Sequence, residues 1–431
     1  MRKIVAFVVS DIPKFKEALL HWARQFEEVV WFEGNGVQDR YGSFDALLAV
    51  DALTSILTDT QEAFDGLQEY QHLAQDWIFG YLAYDLKNDI ESLGSNNFDG
   101  LHFPDLFFFQ PKKMIRIIGN QVEFHYLKMV DDEIDSDFAL LCQNICKKDE
   151  ISEEKNIRIK MRIFKDEYYR QVQKMLEHIH RGDIYEANFC QEFYAEDIQV
   201  DPIKLFAKLN AVSRAPFATF LKLNDKYLIS ASPERYLKKI GTKLISQPIK
   251  GTAKRFRDPV KDRASKHRLA NDPKERAENI MIVDLVRNDL SKSAVKGSVH
   301  VVELCKVYTF EQVHQMISTV SAVVEKGKNP VELIRETFPM GSMTGAPKIS
   351  AMKIIEELEA FRRGLYSGAV GYFEPSGNFD FNVVIRSILY NSSKNYVSYA
   401  VGGAITAKAI PDKEYEECLL KAKAMREVLE G

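Results

Sequence analysis

The sequence is poor in the features that mark secreted, membrane-bound and metal-clustered proteins. Its 431 residues include five cysteines, an odd number whose scattered positions suggest no disulfide framework. Cys142 and Cys146 lie one helical turn apart, but no second pair completes a zinc site, so core or surface thiols are expected. That usage fits a reduced, cytoplasmic protein. No window approaches the roughly 20 consecutive apolar residues of a transmembrane helix. The apolar run Met1–Val9 is too short for a signal peptide and is followed by Asp11, so it reads as a β-strand. No block of like charge stands out. The formal net charge is -4, and acids interrupt the locally basic stretch Lys254–Arg276, so neither nucleic acid nor an anionic membrane is indicated as a partner. Internal repeats and low-complexity segments are also missing. The run Gly341–Lys348 lacks the Gly-Lys-Ser/Thr succession of a phosphate loop because Ala346 and Pro347 intervene, which excludes that mode of nucleotide binding.

What remains is an ordinary globular composition, 45% hydrophobic and 28% charged, sufficient for two or three domains or one large enzyme core. Pro13–Glu28 has helical periodicity, with Phe15, Leu19, Trp22 and Phe26 on one stripe. Phe44–Val50 and Trp77–Asp85 are nearly continuous in apolar residues and read as buried strands. Residues 147–157 are charged and structure-poor, the best linker in the chain. Two regions are therefore expected, 1–147 and 158–431, packed as one large unit. Lys165–Arg181 is an amphipathic helix that Gly182 can cap. Asp272-Pro273-Lys274-Glu275 is a helix start with an N-cap, a first-position proline and a capping-box glutamate.

Candidate chemistry gathers around Gln247–Asp258. Tyr227–Ser230 and Tyr236–Ile245 read as strands, Pro248 stiffens the exit from the second, and Gly251 allows a turn. Lys250 stands between them at a strand end. It is an anchor for phosphate or carboxylate, a nucleophile of lowered pKa, or a solvated loop lysine. Glu234 occupies a turn, in Ser232-Pro233-Glu234-Arg235, just before the neighbouring strand. Glu278 shares a helix face with Met281, Ile282 and Leu285; a carboxylate buried there needs a cation or donors, unless it reaches solvent at the stripe edge. In the final helix, Asp412–Leu429, Glu414, Glu417 and Lys421 form one face that Met425 and Val428 continue. That face is a surface ion pair or a stripe turned inward. Together with Glu278 it can supply oxygen ligands to Mg²⁺, which keeps several waters and prefers one or two protein carboxylates.

Six motifs in order resemble the chorismate-utilising enzymes, most closely their aminodeoxychorismate branch. They are Gly182-Asp183-Ile184-Tyr185, Ser232-Pro233-Glu234-Arg235, Pro248-Ile249-Lys250-Gly251-Thr252, Glu275-Arg276-Ala277-Glu278-Asn279, Thr344-Gly345-Ala346-Pro347-Lys348 and Tyr366-Ser367-Gly368-Ala369-Val370-Gly371-Tyr372. The similarity is dense over residues 160–431 and thin before them. It implies an α/β (α+β) fold of two stacked, mainly antiparallel β-sheets with helices outside and the active-site cleft between them. It also implies that Mg²⁺ sits between Glu278 and Glu417, with Glu414 in or next to its coordination shell. Arg386, Lys421 and the backbone near Gly402 and Gly403 match contacts to the substrate carboxylates, and Ser342 and Tyr366 match further substrate contacts. Glu234 matches the general acid for the departing 4-hydroxyl. Lys250 matches a nucleophile that attacks C2 of chorismate before ammonia enters at C4, a role for which its pKa should be lowered.

Lys250 decides the branch, because anthranilate synthases look similar but carry alanine there. The expected reaction is conversion of chorismate and ammonia to 4-amino-4-deoxychorismate, the ammonia coming from a separate glutamine amidotransferase. Anthranilate synthase component I is the alternative, and a non-catalytic chorismate-binding subunit is a second. Three departures from the family pattern stand out. Gln315, preceded by His314, replaces a common histidine. Glu186 replaces the glutamine usual in amino-transferring members and the lysine base of the isochorismate members, which argues against a water-adding reaction and makes it a candidate for handling ammonia. Gly34, in Trp31-Phe32-Glu33-Gly34-Asn35, stands where a regulatory serine would be, so bound tryptophan is not expected.

Overall fold

Burial on both faces explains why so many strands here are continuously apolar. In Glu28–Glu33, Val30 and Phe32 enter one apolar cluster while Val29 and Trp31 enter another, so none of the four inner positions faces water and alternation disappears. The computed structural model describes residues 1–37, 39–144, 157–311 and 313–431. The expected linker, 147–157, lies outside the described residues except for Ile157, as does Cys146. Among the described residues are 20 strands and 11 α-helices, and the strand pairings are antiparallel.

One sheet runs from Glu186–Ala195 through Tyr396–Thr406, Ser387–Asn391, Lys226–Ser232, Phe217–Leu223 and Glu28–Glu33 to Ala46–Thr58. The long strands Ala46–Thr58 and Leu106–Ile118 pair with a bulge between Ala52 and Thr54, a device that bends a strand. From Leu106–Ile118 the ladder passes into a second sheet through Ile78–Leu82, Ala369–Phe373, Phe379–Val383, Arg235–Ile240, Lys243–Gln247 and Val313–Val323. Leu47, Leu221 and Leu228 of the first sheet share a core with Phe79, Val370 and Leu244 of the second, so the two stack. Helices Ile12–Ala23, Pro202–Ser213 and Pro411–Glu430 cover the outer face of the first sheet through Phe15, Phe206 and Met425. The α/β class with two antiparallel layers and outer helices is as expected. No helix among the described residues is long and apolar enough to cross a membrane.

Three local expectations shift. Tyr236–Ile245 is a hairpin, Arg235–Ile240 and Lys243–Gln247, turning at Gly241 with φ +59. Lys250 belongs to the strand Ile249–Lys254 instead of standing at a strand end. Asp272 does cap Pro273–Ser291 by accepting from the Lys274 and Glu275 amides, but its own amide donates to the Leu269 carbonyl at 3.2 Å, so no reciprocal capping box forms.

Candidate active site

Lys250 is held from two directions. Its strand pairs with Val313–Val323, and Asn279 Nδ2, from the helix Pro273–Ser291, donates to the Lys250 carbonyl at 3.4 Å. Gly251 follows at φ +93, and a Cβ there would stand 3.0 Å from Glu275 Oε2, so glycine is what lets the strand approach this helix. The Lys250 side chain is 14% exposed, and its Nζ lies 3.7 Å from Glu186 Oε1. Burial is the largest single influence on this amine and favours its neutral form. The carboxylates of Glu186, Glu278, Glu234 and Glu417 together outweigh it and raise the pKa. The expectation of a lowered value is thus corrected: carboxylates from four separate segments act on the amine and raise its pKa.

Glu234 sits in the tight connection between Lys226–Ser232 and Arg235–Ile240 and is 5% exposed. Ser342 Oγ donates to its Oε1 at 2.6 Å. Burial pushes the carboxyl up to about 7, against the opposing pull of the Ser342 hydrogen bond and Lys250. A carboxyl raised into that range exchanges its proton near neutral pH and can act as a general acid. Arg386 lies in the bend between Phe379–Val383 and Ser387–Asn391, at φ +53. Burial lowers its pKa, Tyr366 and Glu417 act in the opposite sense, and among the described residues its guanidinium has no hydrogen-bond or ion-pair partner. A desolvated, unpartnered arginine suits an anionic ligand. Tyr366 is buried, with its hydroxyl 3.6 Å from Cys190 Sγ.

Gly402 has a packing reason to be glycine, because a Cβ would lie 2.5 Å from the Phe189 carbonyl oxygen across the ladder. At Gly403 a Cβ would stand 3.7 Å from Glu414 Oε2, 3.8 Å from Lys421 Nζ and 3.9 Å from Glu417 Oε1, so the glycine keeps the space beside that helix face open. Lys421 Nζ donates to the Gly402 carbonyl at 2.8 Å and pairs with Glu417 at 2.7 Å. Lys274 Nζ bridges Glu414 at 3.3 Å and Glu278 at 3.7 Å. Burial raises the pKa of both those glutamates, and Glu278 Oε1 is buried without a hydrogen-bond partner. Among the described residues no three His, Cys, Asp or Glu side chains are gathered into a ready-made metal cage. A buried carboxylate oxygen that accepts no hydrogen bond and has further carboxylates beside it nevertheless fits a hard cation that keeps waters and takes its other ligands from a substrate.

The family model for chorismate binding enzymes matches residues 27–427. The chain belongs to that family. Among the relatives of this chorismate-binding enzyme, aminodeoxychorismate synthase component 1 of Salmonella typhimurium is 42% identical over 62% of the chain. Anthranilate synthase component 1 of Thermus thermophilus is 33% identical, over 82% of this chain and 77% of that one. The crystal structure of anthranilate synthase component I from Streptococcus pneumoniae TIGR4 superposes with a TM-score of 0.78 at 24% identity, covering 90% of this chain and 94% of that one, a likeness of fold. The chain spans 57% of the length of its Salmonella relative.

Some members of this site escaped the sequence reading. Lys274 lies four residues before Glu278 on a capped helix, a spacing from which the pair could have been read. The Glu186–Lys250 contact joins residues 64 positions apart (250 − 186) on different strands, and no local signal announces it. His314, beside the departing Gln315, is a buried support whose Nε2 meets Asp262 Oδ1 at 3.1 Å. The Gly34 segment lines a separate cavity of about 400 Å³ with Phe44, Phe217, Arg235 and Tyr372.

Proposed function

We propose that this chorismate-binding enzyme converts chorismate and ammonia to 4-amino-4-deoxychorismate, which leads to 4-aminobenzoate and folate. Lys250, enclosed by Glu186, Glu234, Glu278 and Glu417, carries the reading. By the resemblance, a lysine there belongs to the aminodeoxychorismate branch and an alanine to anthranilate synthases. The name and 42% identity of the Salmonella relative support the same branch. Arg386 and Lys421 take the substrate carboxylates, with Ser342 and Tyr366 lining the site and the space beside Gly402 and Gly403 left for the ligand. Glu234 gives its proton to the departing 4-hydroxyl. Lys250 Nζ, once it has lost its resting proton, attacks C2; ammonia then bonds to C4, and the electron pair of the breaking C2–N bond returns to Lys250. Glu278 and Glu417 would hold Mg²⁺, with Glu414 beside them. When bound, the ion supplies positive charge against the ring carboxylate and against the glutamates that keep Lys250 protonated.

Ammonia comes from a separate glutamine amidotransferase. The name of the Salmonella relative, a component 1, supports a separate partner subunit as the source. Incubating the protein with chorismate, Mg²⁺ and ammonium tests the reading. Product that an added lyase converts to 4-aminobenzoate is expected. Fluorescent anthranilate with pyruvate would establish the anthranilate reaction instead, and no product at all would leave a chorismate-binding subunit.

A further inference from the structure

Lys250 and Gly251 occupy a fault in the strand ladder. Ile249 faces Ile317 and Thr252 faces Gln315, so two residues of Ile249–Lys254 stand opposite Met316 alone. A β-bulge of this kind re-aims side chains and takes the local backbone out of the regular hydrogen-bond pattern. The strand on the other side of Val313–Val323 is faulted at the same level. In His300–Thr309, Glu303 faces Thr319 and Lys306 faces Ile317, which sets Leu304 and Cys305 against Ser318. Cys305 is at φ +52, and its amide donates to Ser318 Oγ at 2.9 Å. The Ser318 amide in turn donates to the Pro248 carbonyl at 3.2 Å, just before the first bulge.

One side chain ties both faults together. Asn279, on the helix Pro273–Ser291, is 1% exposed. Its Nδ2 donates to the Lys250 carbonyl at 3.4 Å and to the Met316 carbonyl at 3.3 Å, one from each side of the first bulge. Its Oδ1 accepts from Ser318 Oγ and, at 3.6 Å, from the Cys305 thiol. Two carbonyls at one end and two donors at the other leave the amide a single orientation that satisfies all four. We infer that Asn279 is the positioning residue for Lys250: it supplies the tie that the bulge takes out of the ladder, and so fixes where the lysine is aimed. The inference rests on the functional reading above, in which Lys250 is the nucleophile. Asn279 directly follows Glu278, so the helix that presents a carboxylate to the cation site also sets the place of the amine. Its contact is with the Lys250 backbone, and it acts on the reaction only through that residue.

The test uses the full chain with chorismate and Mg²⁺, with and without ammonium chloride, comparing the natural protein with Asn279→Leu and Ser318→Ala. In Asn279→Leu the rate of Lys250 adduct formation, followed by intact mass without ammonium, should fall about 10- to 100-fold, and kcat with it. That is the range expected when a reacting atom is displaced by about 1 Å. The KM for chorismate should stay within about twofold, because Arg386 and Lys421 still hold its carboxylates. Ser318→Ala keeps the amide but removes a donor that fixes its orientation. It should show the same split to a smaller degree, and it carries the test if Asn279→Leu does not fold. An unchanged adduct rate in the folded variants overturns the inference and leaves the functional reading standing. A KM for chorismate that rises in step with the fall in kcat also overturns it, because the amide would then shape the whole cleft and not the lysine. No adduct and no aminodeoxychorismate from the natural protein overturns the functional reading and this inference with it.

Discussion

At Glu234 two neighbours pull the carboxyl down and burial pulls it further up, to about 7. The residue type and its turn were legible from Ser232-Pro233-Glu234-Arg235, but its proton affinity was not, since that depends on Ser342, 108 positions away. The same gap reversed the sign at Lys250: desolvation alone lowers an amine's pKa, and only the assembled fold shows how many carboxylates oppose it. A consequence for stability follows from Glu234. Its folded-state pKa lies above the ordinary 4.5, so the native state binds the proton more tightly. This contribution is full below about pH 4.5 and is lost as the pH rises towards 7. The shift corresponds to about 3 kcal/mol. Urea unfolding between pH 4.5 and 7.5 should therefore show a fall in stability that Glu234→Gln flattens. The same variant should lose a factor of 10² or more in kcat, as expected on removing a general acid. An unchanged slope and an unchanged kcat would both count against a proton held at this position.

At the scale of elements, helix ends were the most legible part of the chain. Gly182 caps Lys165–Arg181 in the left-handed conformation, and Asp272 caps Pro273–Ser291, because both signals are local. Strand ends were less so: the Tyr236–Ile245 run hides a turn at Gly241 that its apolar pattern does not interrupt. The capped helix makes a prediction of its own. It carries Lys274 and Glu278 on one face, with the Lys274 ammonium 3.3 Å from Glu414 and 3.7 Å from Glu278. Lys274 is half-exposed, so it can leave without unfolding the helix, and in the metal-free protein it offsets the repulsion of the two glutamates. Lys274→Met removes a cation that competes for them. Calorimetric titration should show Mg²⁺ binding severalfold tighter in the variant, and the metal-free variant should melt below the natural protein. Weaker Mg²⁺ binding would mean instead that Lys274 helps to build the site.

At the scale of the whole molecule, the site exists only because two stacked sheets close on each other, and Arg235 is placed where that closure can be measured. Its side chain is 1% exposed. It donates from Nε to Asp380 at 2.9 Å in the second sheet and from Nη1 to Asp39 at 3.2 Å in the loop after Glu28–Glu33. Its guanidinium also stacks 4.7 Å from the Phe217 ring of the first sheet. Nothing in the sequence ranks Asp39 above its neighbours, because the partners lie 145 and 196 positions from Arg235. Arg235→Met should leave Asp380 to Lys238 alone and Asp39 without its guanidinium. Removing one member of a buried ion network typically costs about 3–5 kcal/mol. Because Arg235 directly follows Glu234, kcat should fall as well, although Arg235 touches no reacting atom. Adding Asp39→Asn removes the stranded charge while Asp380 keeps Lys238, so the double variant should regain part of the lost stability in urea unfolding. A single variant within 1 kcal/mol of the natural protein would show that the sheets close without this network.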